Sequence, residues 1–76
     1  MTEPNSPSSR IAGEIRAALA RARIPQTDVA DALNMSQASV SRRLTGDTPL
    51  DVNELQVIAD LVGVPMVEFL RAGAPT

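Results

Sequence analysis

The sequence contains no cysteine, histidine, tryptophan or tyrosine, and its one aromatic residue is Phe69. Without thiols or imidazoles there is no disulfide framework, no Cys/His zinc site, no thiol or imidazole catalysis and no haem ligation. The carboxylates that remain fall at helix-capping or exposed helical positions, with no nucleophile or metal constellation around them. Neither enzyme activity nor a metal or cofactor is therefore expected. Long apolar runs are also missing, because charge interrupts each within a few residues, and the start MTEPNSPSSR has neither a basic opening nor an apolar segment. Membrane insertion and secretion are not indicated, and a cytoplasmic protein is the expectation. Seventy-six residues make one domain, near the size at which a single core holds only roughly 3–5 kcal/mol in reserve.

Lysine is absent too: all seven basic residues are arginine, against nine acidic ones, for a net charge of −2. A generic nucleic-acid binder would show a basic excess. The charge is unevenly divided, however. Residues 16–45 hold Arg16, Arg21, Arg23, Arg42 and Arg43 against Asp28 and Asp31, whereas residues 46–76 hold Arg71 against Asp47, Asp51, Glu54, Asp60 and Glu68. One half is basic and the other acidic.

What is present throughout is helical periodicity. Residues 1–6 are polar and read as a disordered tail, after which Ser6-Pro7 is a helix start, serine as N-cap and proline where its missing N–H costs nothing. Ile11, Ile15, Ala18, Leu19 and Ala22 form one apolar stripe from about residue 8 to 22, and Pro25 is expected to close this helix and its link. A second helix is predicted over Gln26 to Leu33, with Val29, Ala30 and Leu33 inward and Asp28 near the positive end of the dipole. Asn34 stands where the chain must turn, and asparagine tolerates the left-handed conformation of a C-cap. Ser36 caps a third helix, Gln37 to about Thr45, which Gly46 ends. Asp51 and Glu54 have capping-box spacing at the head of a fourth helix lined by Leu55, Ile58, Ala59 and Val62 and stopped by Gly63. A fifth begins at Pro65, carries Met66, Phe69 and Leu70, and is expected to end before Gly73, with 74–76 as a tail. No segment alternates long enough to make a strand. The expected fold is all-α, five helices in one domain over residues 7–73.

Between Gln26 and Thr45 the apolar positions Val29, Leu33, Met35, Val40 and Leu44 are those that a tight helical corner must bury, with small Ala30 where the two helices approach. This is the logic of a helix-turn-helix, in which one helix lies across a nucleic-acid backbone and the next is presented to the groove. On the third helix Gln37, Ala38, Ser41, Arg42 and Thr45 share one exposed face, while Val40 and Leu44 face the core.

At these residues the sequence resembles the lambda-repressor and Cro-like (XRE-type) helix-turn-helix family, over about residues 10 to 71. The resemblance extends to the fourth helix, where the family pattern Asp-x-x-Glu-Leu-x-x-Ile-Ala-x-x-Leu-Gly-Val is matched by residues 51–64 with one valine, Val62, for the usual leucine. It implies a compact five-helix domain that binds double-stranded operator DNA as a transcriptional regulator, most often a repressor, in a bacterial or phage-infected cell, commonly as a homodimer on a palindromic site. Gln26 resembles the family glutamine that bonds a phosphate and braces the first side chain of the recognition helix, here Gln37. The expected base contacts are Gln37, Ala38, Ser41 and Arg42: glutamine suits adenine, arginine suits guanine and the alanine methyl suits thymine. The expected backbone contacts are Gln26, Ser36, Ser39, Arg43, Thr45 and Arg23. Two departures stand out. The family commonly has glycine at the place of Asn34, and an aliphatic residue followed by a polar one where this chain has Arg43 and Leu44.

Other readings of the same residues define the alternatives. The acidic half can be a solvated face turned away from DNA, or the surface by which a helix-turn-helix scaffold binds a protein partner. Met66, Val67, Phe69 and Leu70 read either as fifth-helix core or as a dimer seam; with one aromatic residue and a small core, burial within the monomer is the expectation.

Overall fold

Start and stop residues set the helix ends in the computed structural model, which describes residues 6–74. The expected tails lie outside the described residues, except that Ser6 and Ala74 flank the first and last helices. The elements are α1 (Pro7–Ala22), α2 (Gln26–Leu33), α3 (Gln37–Leu44), α4 (Val52–Val62) and α5 (Met66–Gly73), with no strand among the described residues. Ser6 accepts the backbone N–H of Ser9 at 3.1 Å, Ser36 that of Ser39 at 3.1 Å, and Asp51 that of Glu54 at 2.7 Å. Each side chain satisfies a donor that has no partner inside its helix.

The stops differ in detail from the expected ones. Arg23, not Pro25, ends α1: it adopts a left-handed conformation (φ 58°), and its N–H and that of Ile24 close onto Ala20 and Leu19. Pro25 is instead the N-cap of α2. Gly73 lies within α5 as its last residue, because what it supplies there is room. A Cβ at Gly73 would stand 2.7 Å from Ile11 Cδ1, where α1 and α5 pack. Thr45 is the C-cap of α3 and not its last residue.

Helix α1 is the spine. It packs along α5 and also contacts α3 and α4, while α2 packs on α3 and α4. Ile15, Leu19, Val29, Val40, Leu44, Leu55, Ile58 and Phe69 form the core with Ala18, Ala30 and Ala59. Alanines at these positions let helix axes approach closely, so few large side chains suffice. The exceptions to the expected core are Ala22, which is exposed, and Val67 and Leu70, which are 50% and 46% exposed. No polar side chain is buried among the described residues.

The loop after α3 is held against α1 at one close approach. Gly46 is buried at φ +88°, and a Cβ there would meet Ser9 Oγ at 2.8 Å and Ser9 Cα at 2.9 Å. Gly63 shares the left-handed conformation (φ +71°) but faces open space. Substituting Gly63 by alanine should cost only the conformational strain, about 1–2 kcal/mol. Gly46→Ala adds overpacking against α1 backbone, about 1–3 kcal/mol more. Thermal unfolding of the two variants should therefore show a clearly larger fall in Tm for Gly46→Ala; equal falls would mean that the contact with Ser9 relaxes freely.

Candidate nucleic-acid interface

The turn that sets α3 against α2 is built on Asn34. Its backbone is left-handed (φ 54°), and the N–H groups of Asn34 and Met35 return to Asp31 and Ala30. Asparagine replaces the expected glycine because its short polar side chain tolerates this region at low cost. Ser36, extended at φ −71° and ψ 157°, then starts α3.

Val40 and Leu44 are 0% and 1% exposed, which fixes the rotation of α3 about its axis. The opposite side carries Gln37, Ala38, Ser41, Arg42 and Thr45, all exposed. No hydrogen bond within the chain ties the amide of Gln37 or the hydroxyl of Ser41 among the described residues, so both can serve an external partner. Arg42 is tethered lightly: its Nη2 donates to Ser39 Oγ at 3.3 Å, and Ser36 Oγ donates to the same hydroxyl at 3.1 Å. Ser36, Ser39 and Arg42 thus form one cluster along an edge of the exposed face. The Thr45 hydroxyl has the carbonyl of Arg42 and Asp47 Oδ2 as acceptors for its one proton, both at 3.1 Å, so it is engaged and an acid stands beside it.

Gln26 opens α2 and is exposed. The brace to Gln37 implied by the resemblance is not made: no hydrogen bond joins the two amides among the described residues. Gln26 borders an open groove with Arg16, Ile24 and Leu44. The cap residue of α2 is Pro25, whose side chain accepts nothing, so the first N–H groups of this helix lack a side-chain partner. Arg23 is exposed at the α1–α2 corner.

Arg43 departs most from its expected place. Rather than facing outward to a phosphate, its Nε donates to Glu54 Oε1 at 3.1 Å and its Nη1 to the carbonyl of Ser39 at 3.1 Å. The two side chains are 20% and 17% exposed. The physical reason is the exchange of residue types at 43 and 44: Leu44 occupies the core, which leaves Arg43 on the flank of α3 facing the start of α4.

Two further arginines are used inside the fold in ways the sequence alone conceals. Arg16 donates from Nη1 to the carbonyl of Leu44, and Arg10 donates to the carbonyls of Ala72 and Gly73 at 3.2 and 2.9 Å. Each places a cation at the negative C-terminal end of a helix.

No ionisable cluster suited to a metal occurs among the described residues, and no helix is long and apolar enough to cross a membrane. In comparison with known proteins, the helix-turn-helix family matches residues 15–69 of the chain, from the middle of α1 to Phe69. No curated protein and no solved structure matches.

The left-handed turn yields a direct expectation. Asn34→Val places a β-branched residue at φ 54° and should lower stability by about 1–2 kcal/mol, whereas Asn34→Gly should change it by less than about 0.5 kcal/mol, because relief of strain is offset by the entropy of the unfolded chain. Urea unfolding of both variants checks this, and similar losses for the two would show that the side chain of Asn34, not its backbone, matters.

Proposed function

The chain belongs to the helix-turn-helix family of DNA-binding regulators, and from that premise we propose that it binds specific duplex sites through α3 and represses transcription by occupying promoter DNA. The observation that carries the reading is the division of α3: Val40 and Leu44 are sealed in the core while Gln37, Ala38, Ser41 and Arg42 stand exposed together. A helix of this kind inserts its outer face in the major groove, where glutamine pairs with adenine, arginine with guanine and a methyl with thymine. Ser36 and Ser39 bond phosphates at the edge of the groove. Gln26, at the start of α2, serves a backbone phosphate together with the open N–H groups of its helix, and Arg23 and Thr45 add outer backbone contacts.

Two chains are proposed to bind a palindromic site, paired through the apolar residues left exposed at α5 and the start of α4. Val67, Leu70 and Val52 are 50%, 46% and 66% exposed, whereas Phe69 beside them is buried. The fifth helix therefore divides between core and surface and supports both readings of its apolar residues. Selection of duplexes from a random pool tests site and symmetry at once: winners should contain two half-sites about one helical turn apart. The competing reading, a scaffold that binds a protein through its acidic half, would be favoured by the absence of duplex binding at about 50 mM salt.

On the selected duplex Arg42→Ala should lose about 1–3 kcal/mol of affinity and relax preference at one base pair; unchanged affinity would remove Arg42 from the reading face. Because Arg10, Arg16 and Arg43 are engaged within the fold and Arg71 pairs with Glu68, only Arg21, Arg23 and Arg42 remain of the seven, and no more than about three arginines per chain are expected over phosphates. The slope of log K against log salt should then be no steeper than about −3 per chain. A titration giving a slope twice as steep would mean that internally bonded arginines are released on binding.

A further inference from the structure

Helices α3 and α4 are joined by one shared carboxylate oxygen. Glu54 Oε1 accepts the backbone N–H of Asp51 at 3.1 Å, completing the capping box of α4, and it also accepts Arg43 Nε at 3.1 Å. From the other side of the same guanidinium, Nη1 reaches the carbonyl of Ser39, one turn back along α3. Ser39 in turn holds Arg42 through its hydroxyl. A continuous path thus runs from the cap of α4 through Glu54, Arg43 and Ser39 to the side chain proposed to read a base.

Core packing alone leaves α3 a degree of freedom. With eight residues it has little more than two turns, and its two buried residues, Val40 and Leu44, lie on one side like a hinge line. Apolar contacts are not directional, so they decide which side of α3 faces inward but resist a small rocking about that line weakly. A planar guanidinium bonded in two directions is directional, and the part-buried position of the pair limits competition from water. The acceptor is itself fixed, because the same oxygen is anchored by the Asp51 N–H.

Resting on the DNA-reading function above, we propose that Arg43 and Glu54 are positioning residues that set the angle at which α3 presents Gln37, Ala38, Ser41 and Arg42. Arg43 is accordingly a brace within the protein and not a phosphate contact. It determines specificity without touching the DNA, and the exchange of residue types at 43 and 44 is what installs it.

The test uses the full chain, a duplex that the wild type selects from a random pool, the same duplex with one base pair changed, and a duplex of unrelated sequence. R43M and R43K should both reduce discrimination between selected and changed duplexes by about 5- to 10-fold, part of what one well-placed base contact supplies. Lysine keeps the charge but cannot bond Glu54 and Ser39 together, so it should not rescue. The salt slope should be the same as that of the wild type in both, because no phosphate contact is lost. E54A should have the same effect, and R43M should add nothing to it. D51A is the control for the cap alone: it should lower Tm while leaving discrimination within about twofold.

The brace is overturned if R43K behaves as wild type while R43M loses about 0.9 of the salt slope, the signature of one phosphate contact. It is equally overturned if the effects of R43M and E54A simply add. Wild type that selects no duplex overturns the DNA-reading function and the brace with it, whereas selection by wild type with normal discrimination in every variant removes the brace alone.

Discussion

The burial of Val40 and Leu44 is the constraint that sets which face of α3 meets solvent. These two side chains, four residues apart on α3, are almost completely excluded from solvent by the spine helix α1 and its neighbours. Successive residues of an α-helix are turned by about 100°, so pinning this pair determines which side chains can meet anything outside. Gln37, Ala38, Ser41 and Arg42 face outward because Val40 and Leu44 do not. The left-handed turn at Asn34 and the Ser36 cap place the helix start; the core decides its rotation.

Electrostatics has a different role from that suggested by net charge. A chain with more acids than bases would be a poor candidate for phosphate binding if charge were all that counted. Yet three of its arginines act on the fold itself, at the C-terminal ends of α3 and α5 and at the α3–α4 junction. Arginine suits this because its guanidinium stays charged and can bond two carbonyls or carboxylates in one plane. If the chain binds DNA as proposed, its acidic balance means that the contacts of α3 supply a larger share of binding than non-specific attraction does.

Much of this was legible in the sequence, because local rules and core packing agree. Ser6, Ser36 and Asp51 announce their helices, and three- and four-residue spacing marks the faces. What stayed hidden depends on contacts between distant residues. That Arg23 ends α1 was obscured by Pro25 two residues on, since arginine carries no left-handed preference to be read. Gly73 resembled a stop signal, and only the approach of Ile11 explains it. For Arg43, the unusual order of a charged residue before Leu44 was visible, but its partner Glu54 lies eleven residues ahead in another helix. The capping box was recognisable there without revealing that its glutamate serves two helices.

Titrating an isotopically labelled chain with its selected duplex, and following backbone amide resonances, tests whether α3 is the surface that meets DNA. The largest shifts should fall on residues 36–45 and on the first turn of α2, with little change along the outer face of α4. Shifts concentrated on the acidic residues of α4 and α5, with α3 unaffected, would contradict it.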